Sequence, residues 1–184
     1  MGAKRNRRML SQALADGDPV SLRRNLWRAP RSTGFVVGLG ERWVVLHLLD
    51  RVTLDGWAVI RLDTVGEVEA LGHHHLGARA LRLRHEDPAD LGVDLGATRD
   101  LLADLAERFP LVEVHTEALD PDRPATGRPV RLGPRRVHLL DIDADAVWDH
   151  APRRFAYDDI TRLGVGGRIA EALHDLGGYP PVPS

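Results

Sequence analysis

Residues 34–50 read GFVVGLGERWVVLHLLD, residues 127–143 read GRPVRLGPRRVHLLDID, and the two stretches are copies of one pattern. Aligned without a gap, they share eight identical residues in seventeen positions. The identical residues of the first stretch are Gly34, Val37, Leu39, Gly40, Arg42, Val44, Leu46 and Asp50, and their partners are Gly127, Val130, Leu132, Gly133, Arg135, Val137, Leu139 and Asp143. A duplication at this spacing predicts two copies of one small structural unit.

The match continues downstream after a slip of two residues. Residues 62–65 (LDTV) align with residues 157–160 (YDDI), so Asp63 and Asp158 occupy equivalent positions. We interpret this repeated acid as a turn residue that each copy needs. Short antiparallel strands that follow a helix predict a small barrel or a curled sheet. The expected fold is α+β, mainly β, with two tandem small Sm-like or SH3-like barrels and connecting and flanking helices.

Hydrophobic periodicity places the elements of both copies. Strands are expected at 35–39, 43–49, 57–62, 65–71, 111–115, 129–132, 137–142, 154–157 and 161–165, with an Asp55-Gly56 turn and a proline-rich loop at 120–126. Helices are expected near 9–14, at 76–83, at 98–109 with Thr98 as cap, and near the C-terminus with Ile169, Leu173 and Leu176 as its buried stripe. A further short helical turn, capped by Ser21, would carry Leu22, Leu26 and Trp27.

These elements predict five segments along the chain. They are a basic N-terminal helical segment (1–31), a first barrel repeat (32–72), a connector (73–96), a second barrel repeat with leading and closing helices (97–178) and a tail (179–184). Whether the two repeats form one core or two stays open at this point.

Composition excludes several classes of protein. The 184 residues are 43% hydrophobic and 28% charged, which is typical of a folded globular protein. There is no cysteine, so disulfides, thiolate zinc sites and cysteine nucleophiles are excluded. The longest apolar run, residues 43–49, is too short to cross a bilayer. We expect a cytoplasmic protein without a membrane partner.

Charge is distributed unevenly. Residues 1–31 carry eight basic and two acidic side chains, a net +6, while the whole chain has −2, so the remainder carries −8. The candidate contacts for a nucleic acid or another acidic partner are Arg5, Arg7, Arg8, Arg23 and Arg24. The basic segment can equally lie across the acidic body of the protein itself. Trp27 can stack on a base or pack into the core.

Two resemblances bear on the fold. The run from Val137 through Trp148 to Arg162, the helix at 98–109 and the stretch 54–57 (LDGW) resemble a family of uncharacterised bacterial proteins with two Sm-like/SH3-like barrel repeats. A looser similarity is to Sm-like proteins, in which a helix precedes a five-stranded barrel and which form rings and bind RNA. Residues 50–53 (DRVT) and 143–146 (DADA) keep the Asp of the nucleotide-binding motif but lack its Asn. The resemblance therefore implies the fold without the uridine pocket.

No motif predicts catalysis or a bound metal. Asp141, Asp143, Asp145 and Asp149 resemble a calcium loop, but Ala146 and Pro152 stand where that loop needs Gly and Glu. His73-His74-His75 are adjacent, and adjacent histidines seldom converge on one ion. His47 has an apolar repeat partner, Leu140, which favours a packed side chain. No serine lies in a nucleophile-elbow pattern. We expect no catalytic residue, cofactor or metal.

These observations favour a non-enzymatic binding or adaptor protein that acts through contacts with another protein or with itself. The alternative is an RNA- or DNA-associated regulator that uses the basic N-terminal segment. A third hypothesis is an enzyme built on the carboxylates of residues 141–149 and 158–159.

Overall fold

The structure is a computed structural model of the chain, and it describes residues 2–122 and 124–181. Its helices are α1 (Gly2–Asp16), α2 (Leu76–Arg84), α3 (Thr98–Arg108) and α4 (Arg168–Gly177). Its strands are β1 (Pro19–Arg24), β2 (Ser32–Leu39), β3 (Trp43–Asp50), β4 (Thr53–Arg61), β5 (Val65–Ala70), β6 (Val112–His115), β7 (Ala125–Leu132), β8 (Arg136–Asp141), β9 (Arg153–Ala156) and β10 (Arg162–Val165). Single 3₁₀ turns, Leu62–Thr64 and Tyr157–Asp159, precede β5 and β10.

The strands form one antiparallel sheet in the order β5-β1-β2-β3-β4-β10-β6-β7-β8-β9. Its first five strands, with α1 and α2, make a first half, and its last five, with α3 and α4, make a second half of the same order. The predicted duplication is therefore present in the topology. The halves are joined edge to edge by β4 and β10. Two separate closed barrels are not found, because β5 and β9 lie at opposite ends of a single open sheet.

The repeated valines mark equivalent β-bulges. The pairing of β2 with β3 shifts between Val36 and Gly38, so Val37 is the extra residue. The pairing of β7 with β8 shifts in the same way around Val130. A bulge adds twist and bends its strand, so each half bends at the same point.

The repeated glycines provide close approaches between neighbouring strands. A Cβ on Gly34 would overlap the carbonyl oxygen of His47, and a Cβ on Gly127 would overlap that of Leu140. His47 and Leu140 are themselves repeat partners. Identity at these positions therefore follows from backbone contact between β2 and β3 and between β7 and β8.

The hydrophobic core is continuous across the two halves. One cluster combines Trp43, Val45 and Val59 of the first half with α3 and the strands of the second half. A second cluster lies under α1, where Leu10 and Ala13 pack on the first five strands. The sheet thus has α1 and α3 over its two halves and a shared core at the joint.

Several sequence-based predictions are wrong in detail. Residues 19–24 form β1 and not a helical turn, so the first half begins well before residue 32. Asp55-Gly56 lies inside β4, where Gly56 has φ +66°, and the turn before that strand is made by Arg51, with φ +57°. Ala97, not Thr98, occupies the N-cap of α3, and Thr98 is buried.

The helices α2 and α3 and most strands lie where periodicity predicted them. The helix α1 begins at Gly2, before the predicted residues 9–14, and β7 begins inside the loop predicted at 120–126. Of the expected tail, residues 182–184 lie outside the described residues. Among the described helices, none combines the length and apolar character needed to cross a membrane.

Candidate functional site

The closing helix α4 is fixed to the body of the protein at both ends. At its start, the Arg168 backbone N–H donates to Asp55 Oδ1 at 2.8 Å, and the Arg168 guanidinium donates to Asp50 Oδ2 at 2.7 Å. At its end, Trp148 Nε1 donates to the carbonyl of Gly177 at 3.1 Å. Because Asp50 and Asp55 belong to the first half and Trp148 to the second, α4 spans both.

The apolar face of α4 points to solvent. Ile169 is 76% exposed, Leu176 is 81% exposed and Tyr179, just beyond the helix, is 66% exposed. We call these three exposed side chains the α4 ridge. Leu173 lies beside them but is half-buried and packs against the cluster of Leu111, Ile142 and Ala170. Helical spacing places residues 169, 173 and 176 on one side. The predicted buried stripe is therefore wrong for Ile169 and Leu176, while Leu173 packs partly against the core.

A small residue explains why α4 is turned this way. Ala170 is the buried residue of the helix, and it packs with Leu111 and Ile142. A methyl side chain lets the helix lie close to the sheet. Ile169 and Leu176 then remain outside, and Leu173 packs at the margin of the contact. The sequence pattern predicts an amphipathic helix but does not say whether its apolar face turns toward the sheet or toward solvent. That orientation depends on the residues against which the helix packs.

A second feature is a cleft of about 560 Å³ between the two halves. It is lined by the repeated arginines Arg42 and Arg135, by Arg99 and Arg136, and by Asp100 and Asp158. All four arginines are exposed. Arg42 comes within 3.9 Å of Asp158, and Arg99 within 3.3 Å of Asp100. Four guanidinium groups facing two carboxylates leave the cleft basic.

Backbone geometry brings Arg42 and Arg135 to the cleft. Each sits in the turn between two strands, and its carbonyl accepts a hydrogen bond from the start of a 3₁₀ turn. Leu62 N–H donates to Arg42 at 2.8 Å, and Tyr157 N–H donates to Arg135 at 3.2 Å. The repeated position thus has a structural role in its backbone, which leaves the side chains available.

The predicted N-terminal contact residues separate into two groups. Arg5, Arg7 and Arg8 are exposed on α1. Arg7 Nη1 donates to the carbonyl of Gly40 at 2.9 Å, which holds α1 beside the turn that carries Arg42.

The other two predicted contacts lie on β1. Arg23 is exposed and paired with Glu67 at 3.1 Å. Arg24 is buried, and its ion pair with Glu117 occupies it inside the protein. Arg24 is therefore unavailable as a surface contact. Trp27 is exposed, not packed into the core, and the Arg28 guanidinium lies 4.4 Å from its ring centroid.

Sequence reasoning missed a buried ionic cluster at the joint. It contains Arg24, Glu113, His115, Glu117 and Arg162. Burial alone would raise the pKa of Glu117, but hydrogen bonds from Arg24 and Thr161 lower it. The hydrogen bond with His115 lowers the pKa of Glu113, and burial lowers the pKa of Arg162. Two guanidinium groups balance two carboxylates, as a structural cluster requires.

The other polar motifs have local roles. His75 Nδ1 accepts the N–H of Gly77 at 3.2 Å and caps α2. Asp143 Oδ1 accepts the N–H groups of Asp145 and Val147, each at 2.9 Å, and so closes its own loop. Within residues 2–122 and 124–181, no three His, Asp or Glu side chains converge as metal ligands.

Comparison of the chain with protein-family models, with curated proteins and with solved structures found no match.

Proposed function

We propose that this is a non-enzymatic binding protein that docks another protein on its α4 ridge. The observation that carries the proposal is the outward apolar face of a helix that is fixed at both ends. Single exposed apolar residues are common, but three large exposed apolar side chains on one short helix and the residues just after it favour an interaction surface. Because the ridge lies on a helix, we expect the partner to be a protein with an apolar groove that accepts the exposed side of this helix.

The proposal also covers the architecture and the location of the protein. We propose that each half curls as an Sm-like or SH3-like unit, which the equivalent bulges at Val37 and Val130 support. We propose a cytoplasmic location, which the absence of cysteine supports.

The test uses a matched pair of double variants. Ile169→Ser/Leu176→Ser removes the ridge, and Leu76→Ser/Leu83→Ser makes the same change on α2, where both leucines are exposed. Each tagged protein is used as bait in its native cells, and the captured proteins are quantified by mass spectrometry. We expect a partner that the wild type and the α2 variant retain and the α4 variant loses. Equal capture by all three would contradict the proposal.

A second candidate function is binding of a nucleic acid in the arginine cleft. It is favoured by the fact that the repeated residues Arg42 and Arg135 line one basic cleft with Arg99 and Arg136. The basic residues of α1 extend this surface, since Arg7 bonds to the turn before Arg42. Guanidinium groups bind phosphates, and affinity that depends on them falls steeply with salt.

Fluorescence anisotropy with RNA and DNA oligomers tests this second function. Arg135→Gln/Arg136→Gln is compared with the wild type and with Arg131→Gln, an exposed change on β7. Cleft binding predicts that the double variant loses affinity at low salt and that its affinity depends less on salt. Arg131→Gln should bind like the wild type. No binding by the wild type, or equal loss in both variants, would exclude the cleft.

A further inference from the structure

The joint between the two halves is a pairing of sheet edges. β4 pairs antiparallel with β10, with Val59 opposite Leu163 and Ala58 opposite Gly164. Arg61 adds two bonds at the end of the joint, because its backbone N–H donates to Thr161 at 3.0 Å and its guanidinium donates to Ile160 at 3.3 Å. The halves are therefore held by a strand-to-strand contact with a defined register.

Within residues 2–122 and 124–181, the equivalents of these two edges have no strand partner. In the first half Val44 lies opposite Ile60, and in the second half its equivalent Val137 lies opposite Phe155. The strand β9 is thus the counterpart of β4. It is the last strand of the sheet order.

The same comparison identifies β5 as the counterpart of β10. Leu22 lies opposite Val68, and its equivalent Val114 lies opposite Leu163. β5 is the first strand of the sheet order. Each molecule therefore has one free edge of each kind that the joint uses.

We propose that β9 of one molecule pairs with β5 of a second copy in the register of the internal joint. When each residue of the internal joint is replaced by its equivalent in the other half, the pair Val59–Leu163 becomes Arg154–Val68. The pair Ala58–Gly164 becomes Arg153–Glu69. This contact is separate from the α4 ridge and does not depend on it.

The charges of the two edges are complementary. The β5 edge carries the exposed Glu67 and Glu69, and the β9 edge carries Arg153 and Arg154. In the inferred register Arg153 lies directly opposite Glu69. Opposite charges in cross-strand pairs stabilise a sheet, whereas like charges destabilise it. A contact of either edge with itself would bring like charges together.

The ion pairs that these residues make within one chain do not prevent the contact. Glu67 pairs with Arg23, and Glu69 lies 3.5 Å from Arg31, with all of these side chains about half exposed. Exposed ion pairs contribute little to stability, so exchanging them for intermolecular pairs costs little. Arg153 pairs with Asp141 at 2.8 Å, and in the proposed contact it would share its guanidinium between Asp141 and Glu69 of the second copy.

In the single chain, Asn6 covers the start of the β5 edge. Its Nδ2 donates to the carbonyls of Val65 and Gly66 at 3.2 and 3.1 Å. These are the repeat equivalents of Ile160 and Thr161, the carbonyls that accept from Arg61 at the joint. Asn6 therefore takes the place of the missing neighbour at two carbonyls, while residues 67–70 provide the pairing.

The two edges of this contact are different surfaces, so assembly is head to tail. A dimer keeps one free edge at each end, so the assembly continues, as a closed ring if the rotation between molecules closes and as an open filament if it does not. The internal joint sets the rotation from one half to the next. A ring would repeat that rotation between molecules.

Cysteine cross-linking tests the contact, because the chain contains no cysteine. Glu69→Cys and Arg153→Cys proteins of different mass are mixed and oxidised. Residues directly opposite each other on paired strands lie within disulfide distance. We expect the mixed dimer to form in clear excess over either homodimer, because only the mixed pair brings the two thiols opposite each other. The register control is Glu69→Cys with Arg154→Cys, which moves the thiol by one residue to the other face and should cross-link poorly.

Sedimentation velocity of the wild type gives the second readout. We expect a species larger than one chain, which Arg153→Glu dissociates and Arg153→Glu with Glu69→Arg restores. Circular dichroism verifies that each variant is folded. A monomer at every concentration, or equal cross-linking in the register control, would overturn the proposal.

Discussion

The Arg24 guanidinium lies 2.6 Å from Glu117 Oε1, with both side chains buried where the two halves meet. Arg24 ends β1 of the first half, and Glu117 follows β6 of the second half. Glu117 also accepts the hydroxyl of Thr161 at the start of β10. The pair thus ties the ends of strands from both halves together inside the protein.

Removing one partner of this ion pair should strongly destabilise the protein. Arg24→Met leaves Glu117 buried without its cation, and Glu117→Gln leaves Arg24 without its anion. Loss of one partner of a buried pair costs about 3–5 kcal/mol. We expect a decrease of that size in the free energy of unfolding, measured with urea.

Two controls show whether the loss of stability comes from the burial of the pair and from the charge that is left unpaired. Arg28→Met breaks an exposed pair with Asp122 and should change the free energy of unfolding by less than about 1 kcal/mol. Arg24→Met/Glu117→Met removes both charges and should be less destabilised than the sum of the single changes. Additive effects in the double variant would show that the two side chains act independently.

The same cluster predicts acid sensitivity. The folded pKa values of Glu113 and Glu117 are lowered, and an exposed glutamate has a pKa of about 4.3. A lowered folded pKa stabilises the protein above the unfolded pKa, and that contribution is lost as the pH falls through the folded value. We expect the free energy of unfolding to fall steeply below about pH 4.3.

Urea titrations across this acid range measure the slope for the wild type and for Glu117→Gln. The variant lacks one of the two groups and should lose less stability per pH unit than the wild type. Parallel slopes would mean that the pKa of Glu117 is not lowered in the folded protein.

The sequence predicted the repeat and most elements, because both depend on local pattern. Gly34 and Val37 recur as Gly127 and Val130 since each copy needs the same close approach and the same bulge. The helix α3 was evident from the spacing of its leucines. Such signals are contained in short windows of the chain.

The orientation of α4 and the buried cluster were not predictable in this way. Ile169, Leu173 and Leu176 have the spacing of a buried stripe, yet Ile169 and Leu176 are exposed, and Ala170 makes the buried contact with the half-buried Leu173 beside it. Arg24 and Glu117 are 93 residues apart, and neither belongs to a motif. Both features depend on which surfaces the joint of β4 and β10 brings together. The sequence also left open whether the two repeats share a core, and the same joint shows that they do.

His47 should make stability depend on pH near neutrality. Burial lowers its pKa, its Nδ1 accepts the N–H of Ala89 at 3.0 Å, and its ring stacks on Trp57 with centroids 4.3 Å apart. Trp57 Nε1 donates to the carbonyl of Ala89 at 2.9 Å, so the two side chains hold the connector against the sheet. A protonated His47 could not accept the Ala89 N–H.

Because the pKa of His47 is lowered in the folded protein, the free energy of unfolding should decrease as the pH falls. As the pH falls through about 6.5, the unfolded histidine binds a proton before the folded one does, so the free energy of unfolding decreases until the folded pKa is reached. Thermal melts from about pH 8 to pH 5 should show this loss in the wild type and not in His47→Gln. His150→Gln, at an exposed position, should behave like the wild type. A pH dependence that survives His47→Gln would assign it to another group.

The repeated glycines Gly34 and Gly127 should not tolerate a side chain. Gly34→Ala places a methyl group against the His47 carbonyl, and Gly127→Ala places one against the Leu140 carbonyl. Because backbone atoms of a paired strand cannot move aside, we expect each change to destabilise the protein by about 1–3 kcal/mol. Urea denaturation measures the loss.

Gly2→Ala is the control, since nothing lies within 4 Å of its new methyl group. It should leave the free energy of unfolding unchanged or raise it slightly, as alanine favours the helix. The two sheet variants should also lose similar amounts, because both positions make the same backbone contact. If one tolerated alanine and the other did not, the identity of Gly34 and Gly127 would not have a common structural cause.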